Sequence, residues 1–308
     1  MIALWIVAFV GGLVTASLAS RRAVTHALAV ADGSRVSSGF IGMTVLAIGT
    51  DLPEIANSII SAATGHGDLN VGDSAGSAMT QVTLVLGILC FGVEVVSDRR
   101  AVAALGILTA TALGVISLLV RDGVFDRVDG LLLVASWVLA LIAMRSLVSD
   151  SSPPAQPGSR IGPAIALTAV WLVVVAVAAT VVVQSFVAIT ESIGVPEILA
   201  GAVVLALGTS LPELIVDWTA VRRGAGALAL GDLFGSSFLD ATFAVGIGPA
   251  LTPTVVSSAA TATCIVAGLG IIAATAIAAT RPTLRRGSAV ALVGVYGVAT
   301  VALIAATG

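Results

Sequence analysis

The chain has 308 residues, of which 58% are hydrophobic, a further 33 are glycine, and only 10% are Asp, Glu, Lys or Arg, against about 25% in an ordinary soluble domain. So few charges cannot cover the surface of a water-soluble enzyme, and the same composition excludes disorder. All 14 basic residues are arginine and the formal net charge is −3, which offers no basic face to nucleic acid. The class is an all-α polytopic membrane protein.

A spanning helix needs about 20 apolar residues. Cutting the chain at charges and at Pro/Gly/Ser clusters predicts ten transmembrane helices, at 3–20, 38–66, 69–93, 101–120, 130–149, 162–186, 197–221, 228–251, 255–280 and 288–307. The first lacks a basic leader and is followed by Arg21 and Arg22, as expected of a retained span rather than a signal peptide. The second is long and carries Gly49 and Pro53; the seventh carries Gly208 and Pro212 at matching places. Proline removes a backbone donor and clashes with the preceding turn, so helices 2 and 7 are expected to break, freeing carbonyls near Ala47 and Ala206. Asp51-x-x-Glu54 and Ser210-x-x-Glu213 have the spacing of a capping box. Cys90 and Cys264 lie in apolar runs and read as buried thiols, with no disulfide framework.

Between spans 5 and 6, residues 151–160 are rich in Pro, Ser and Gly and read as a cytoplasmic linker. It separates a first five-helix half, 1–150, from a second, 161–308. Numbering the connectors alternately puts twelve arginines on one side and only Arg121 and Arg127 on the other. The positive-inside rule then places both termini outside and the linker in the cytoplasm.

The two halves repeat. Ala47-Ile48-Gly49-Thr50-Asp51-Leu52-Pro53-Glu54 and Ala206-Leu207-Gly208-Thr209-Ser210-Leu211-Pro212-Glu213 share six of eight residues at an offset of 159. The same offset aligns Gly72-Asp73-Ser74-Ala75-Gly76-Ser77 with Gly231-Asp232-Leu233-Phe234-Gly235-Ser236. The repeat motifs fall within 40–92 and 199–251. Being five spans apart, they enter the membrane in opposite directions, the inverted-topology plan of secondary transporters, whose site lies near the midplane.

Inside the spans lie Asp51, Glu54, Asp73, Glu213, Asp217, Asp232 and Asp240, while the only basic residue near a span is Arg145, at the end of span 5. Each intramembrane charge costs a few kcal/mol or more. Protons, or cations from solution, are then needed to offset them. Carboxylates, hydroxyls and freed carbonyls are oxygen ligands, suited to hard ions such as Ca²⁺ and Na⁺.

These motifs resemble the sodium/calcium exchanger family of the cation/calcium antiporters, whose pattern is a G-T-S-x-P-E helix break followed by a G-N-x-x-G-S span, present twice in inverted halves. The resemblance implies that Glu54 and Glu213 are the central acids shared by Ca²⁺ and Na⁺. It implies hydroxyls or carbonyls from Thr50, Thr209 and Ser210, backbone carbonyls from Ala47 and Ala206, and ligands from Ser77 and Ser236. Gln81 and Asp240 complete that set, and an acid at the position of Asp240 keeps K⁺ co-transport open. Asp51 stands where the family has Ser, Asp73 and Asp232 where Asn is usual, and Ala78 and Ser237 where an Asn is frequent. Asp217, one turn beyond Glu213, faces no acid at the equivalent Ser58. Asp73, Asp232 and Asp217 are therefore further candidate ligands in a site more acidic than the family pattern.

The expected function is antiport, not enzymatic chemistry: Na⁺ exchanged for Ca²⁺ at one midplane carboxylate cluster, exporting Ca²⁺ across the cell membrane, with spans 1 and 6 sliding across the site as the resemblance implies. Exchange against H⁺, favoured by the surplus acids, and K⁺-dependent exchange are the alternatives. No cofactor, nucleic-acid or obligate protein partner is expected; the partners are the transported ions and the bilayer.

Overall fold

The computed structural model describes residues 2–34, 37–96, 98–147, 161–192, 208 and 210–307. Among them, eight helices are long and apolar enough to cross a membrane, or nine if one bent pair counts as a span. The expected span at 197–221 falls partly on residues outside that set.

Helix α1 runs from Ile2 to Ser34 and does not stop at Arg21-Arg22, as the charge cut had suggested. Arginine is among the better helix formers. A stripe at helical spacing (Ala16, Ala19, Ala23 and Ala27) is buried throughout. α1 lies along a second long helix that begins after the linker, and the Arg22 guanidinium sits 5.8 Å from the centre of that helix's Trp171 ring.

The second segment is a chain of short pieces: α2 (Ser38–Ile41), a π-helical turn (Gly42–Leu46), α3 (Ala47–Thr50) and α4 (Leu52–Ala63). The pieces before and after Asp51 meet at 48°, with Pro53 in the first turn of α4. Proline is tolerated there because the first turn has no intrahelical donor to lose. Then follow α5 (Gly67–Thr80), a π turn (Gln81–Val85), α6 (Leu86–Gly92), strand β1 (Val95–Val96), α7 (Arg99–Leu119), β2 (Val124–Phe125) and α8 (Arg127–Leu147). Beyond the linker come α9 (Ile161–Ser192), α10 (Leu211–Arg222), α11 (Gly226–Leu239), a π turn (Asp240–Ala244), α12 (Val245–Leu251), β3 (Thr254–Val255), α13 (Ser258–Thr280), β4 (Thr283–Leu284) and α14 (Arg286–Thr307).

The 159-residue offset now extends well past the sequence motifs. α4 maps onto α10, α5 onto α11, the π turn at 81–85 onto that at 240–244, and α6 onto α12, each end to end. β1 maps onto β3, β2 onto β4, and the first residues of α7 and α8 onto those of α13 and α14.

Two helices form the centre. Buried residues make up 78% and 89% of the apolar stretches of the continuous segments Gly67–Gly92 and Gly226–Leu251, against 22% in α8 and 17% in α14. Leu131, Leu132, Leu139, Ile142, Val298 and Val301 of those outer helices are exposed apolar side chains, facing the position of lipid. Cys90 and Cys264 are buried and free.

Glycines set the closeness of the central packing. A Cβ on Gly235 would overlap the backbone of Met43, and one on Gly231 would overlap the carbonyl of Gly39. Close backbone approach of this kind needs a residue without Cβ. Gly235→Val is expected to lower the melting point of the detergent-solubilised protein, at a cost of about 1–3 kcal/mol. Gly114→Ala, where a Cβ meets nothing within 4 Å, is expected to leave it unchanged or raised.

Two short antiparallel ribbons link the halves. β1 pairs with β4 (Val95 opposite Leu284), and β2 with β3 (Val124 opposite Val255). β1 precedes the spanning helix α7 and β2 follows it, so the ribbons lie a bilayer apart.

Candidate cation site

The break in the second segment brings a carboxylate to the centre. Asp51 occupies the N-cap position of α4, but its side chain caps nothing; Ser210, at the same position of α10, likewise makes no cap bond. The two residues share one backbone conformation, φ −81° and ψ 11° for Asp51 and φ −82° and ψ 6° for Ser210. The expected capping box does not form because both side chains turn inward. Asp51 Oδ1 lies 3.5 Å from Gln81 Nε2, and Ser210 Oγ lies 3.2 Å from Ser77 Oγ.

Asp51, Glu54 and Glu213 each present a carboxylate oxygen within 4.8 Å of the others, and all three are fully buried. Around them, Ser77 Oγ donates to Glu54 Oε1 at 3.1 Å, and Thr50 and Ser236 hydroxyls stand 3.4 Å apart. Gln81 Nε2 donates to Asp240 Oδ2 at 3.0 Å. Much of the ligand capacity is unused: Asp51 Oδ2, Glu54 Oε2, both Glu213 oxygens, Asp240 Oδ1 and Gln81 Oε1 are buried without a hydrogen-bond partner. Buried polar atoms are ordinarily paired, and three carboxylates so close repel one another unless positive charge lies among them. Among the side chains described, no basic one is buried. The arrangement suits a dehydrated hard cation bound by oxygen.

Of the residues expected at the site, Thr50, Asp51, Glu54, Ser77, Gln81, Ser210, Glu213, Ser236 and Asp240 come together. Ala206 and Thr209 lie outside the described residues. Ala47 is buried beside the site, but its carbonyl is not free: it accepts from Asp51 N–H at 3.0 Å and from the Thr50 hydroxyl at 3.3 Å. The helical donor lost at Pro53 is the one owed to Gly49, four residues earlier.

Asp73, Asp232 and Asp217 stand outside the three-carboxylate cluster. Asp73 and Asp232 also lie deeper than the first helical turn, since α5 starts at Gly67 and α11 at Gly226. Asp73 Oδ2 accepts from Asn57 Nδ2 at 2.6 Å. Asp217 and Asp232 lie between α10 and α11.

Sequence reasoning passed over Asn57, and named Ser237 only as a departure from the family pattern. Ser237 Oγ donates to the Ala78 carbonyl at 2.8 Å, across the offset of 159 residues that also separates Gln81 from Asp240. Two residues that touch their own repeat equivalents mark where the halves meet, a signal the offset already carried.

The sequence matches the profile of the sodium/calcium exchanger protein family over residues 4–145 and 163–305. The antiporter candidate CaxA of Alkalimonas amylolytica is 30% identical over 264 residues, 81% of each chain. The sodium/calcium exchanger MaX1 of Methanosarcina acetivorans is 38% identical over 63 residues, 20% of this chain and 18% of that one. Among solved structures, the sodium-calcium exchanger NCX_Mj soaked with 2.5 mM Na⁺ and 0.1 mM Ca²⁺ superposes with a TM-score of 0.81 at 24% identity, covering 97% of this chain and 98% of that one. At that identity the likeness is one of fold.

Proposed function

The chain belongs to the sodium/calcium exchanger family, and on that footing we propose that it exchanges Na⁺ for Ca²⁺ at the Asp51–Glu54–Glu213 cluster, exporting Ca²⁺ from the cell. The observation that carries this reading is the buried carboxylate cluster within 4.8 Å, lined by hydroxyls, with no buried basic side chain among those described. Na⁺ and Ca²⁺ compete for the same oxygens, and it is this competition that couples their fluxes. Glu54 and Glu213 serve both ions. Thr50, Ser77, Ser210 and Ser236 supply neutral oxygens, joined by Thr209 and by the Ala206 carbonyl, while Gln81 and Asp240 close the ring. Two Na⁺ per Ca²⁺ is electroneutral. A higher ratio draws on the membrane potential, at about 2.3 kcal/mol per charge per 100 mV.

The site belongs, in this reading, to ten spans in two inverted halves, 1–150 and 161–308, joined by a cytoplasmic linker in the cell membrane. The pairing of the ribbons supports inversion. Exchanging each residue for its repeat equivalent turns Val95–Leu284 into Thr254–Phe125, which is the other ribbon. β1 and β3 are thus equivalent yet lie at opposite ends of α7. The contacts of Ala78 with Ser237 and of Gln81 with Asp240 support a two-fold axis passing through the site.

Proteoliposomes test the exchange directly. ⁴⁵Ca²⁺ uptake is expected only when an outward Na⁺ gradient is imposed; uptake indifferent to Na⁺ would sink the proposal. A second reading, Ca²⁺/H⁺ exchange, is favoured by the carboxylate of Asp51 where the family has a hydroxyl. Uptake driven by a pH gradient in the absence of Na⁺ would select it.

A further inference from the structure

One turn from the central cluster lies a second pair of acids that the exchange reading does not use. Asp217 is four residues beyond Glu213 on α10, and Asp232 four residues before Ser236 on α11. In both helices that spacing is about 6 Å towards the 223–225 loop. Both side chains are 0% exposed. The two carboxyl groups face each other across α10 and α11 closely enough to interact, and the Glu213 carboxyl acts on both. All four carboxyl oxygens lack a hydrogen-bond partner.

The other half of the molecule shows that the fold does not need this pair. There the equivalent residues are Ser58 and Asp73. The Ser58 hydroxyl accepts from Gly248 N–H at 3.2 Å and donates to the Val245 carbonyl at 3.5 Å. Asp73 is bonded by the Asn57 amide at 2.6 Å. In the half containing Asp217 the position of Asn57 is held by Val216, which has no donor to offer. Two unpaired buried carboxylates are costly to a fold. Among the side chains described, no basic one is buried to offset them.

We propose that Asp217 and Asp232 form a second divalent-cation site, one helical turn from the central one and present on one side only. Two carboxylates offer four oxygens and two negative charges, which match a Ca²⁺ ion completing its shell with water. Its place on the same two helices that carry Glu213 and Ser236 makes it the next resting point for an ion moving between the central cluster and the 223–225 face. This rests on the exchange reading for the ion but not for the oxygens.

Equilibrium binding of ⁴⁵Ca²⁺ to the purified full-length protein, without Na⁺, tests it. Wild type is expected to bind two Ca²⁺ per chain, and Asp217→Asn and Asp232→Asn one. Asp217→Ser, the residue tolerated at this place in the other half, is expected to bind one as well and covers the case in which an Asn variant fails to fold. Glu54→Gln is also expected to bind one, retained at the Asp217–Asp232 pair. One Ca²⁺ per chain in wild type, or two in the folded Asp217 and Asp232 variants, overturns the proposal; protons alone held by the pair would give the first of these. A Glu54→Gln protein that still binds two leaves the Asp217–Asp232 site standing and removes the central reading instead.

Discussion

Glu54→Gln and Glu213→Gln are each expected to abolish Ca²⁺ transport, lowering initial ⁴⁵Ca²⁺ uptake in proteoliposomes by roughly 100-fold, the equivalent of about 3 kcal/mol for an anionic partner lost from a buried charge. The substitution is close to isosteric. In Glu54→Gln the amide oxygen can still accept from Ser77 Oγ, now 3.1 Å from Glu54 Oε1. The amide nitrogen replaces Oε2, an oxygen with no protein partner. A ligand is thereby turned into a donor, and a donor repels a cation. The protein is expected to fold, because the change removes charge from a crowded buried cluster, and a monodisperse chromatographic profile checks that. Uptake equal to wild type in either variant would remove that glutamate from the site.

Asp51→Ser carries the second large effect. It restores the residue usual in the family and takes one of three carboxylates out of the 4.8 Å cluster. Ligand charge count is a main determinant of Ca²⁺ affinity, so Ca²⁺ binding is expected to weaken by roughly 10- to 100-fold. Na⁺ carries half the charge and loses less, so Na⁺ is expected to displace Ca²⁺ from the variant at lower concentration relative to Ca²⁺ affinity. Gln81 Nε2 keeps its shorter bond to Asp240, 3.0 Å, and loses only the 3.5 Å contact to Asp51. Competition of Na⁺ against ⁴⁵Ca²⁺ binding in wild type and variant measures both shifts. An unchanged Ca²⁺ affinity would make Asp51 a spectator of the bound ion.

Much of the site was legible before any coordinate. Acids in apolar runs with no basic partner have few explanations, and the 159-residue offset paired Gln81 with Asp240 and Glu54 with Glu213. Pro53 marked the bend at Asp51 because the missing N–H is a property of the residue alone; the matching break expected ahead of Pro212 falls on residues outside those described. What sequence could not settle depends on direction. Asp51 at an N-cap has two uses for its carboxylate, the helix end or the cluster, and the choice is made by Gln81 and by the crowd around it. The spacing of Ala47 before proline suggested a free carbonyl, but Asp51 N–H still closes the turn onto it. Arg21-Arg22 looked like a helix boundary because charge usually ends a span; here α1 runs on to Ser34, its arginine lying against Trp171 of α9. The ribbons were invisible, since two-residue strands are too short to show a period of two.

Those ribbons dictate an order of assembly. β2 meets β3 across positions 124 and 255, and β1 meets β4 across positions 95 and 284. As the chain is synthesised from its N-terminus, the first ribbon becomes possible once β3 has emerged. The second must wait for β4, just ahead of the last helix. One mouth of the protein is therefore stitched before the other, and β1 leaves the ribosome nearly two hundred residues ahead of its mate. Pairings this distant in sequence are slow to form. A chain cut short before residue 283 would keep one face fastened and leave the other with an unpaired strand edge, a ready target for quality-control proteolysis.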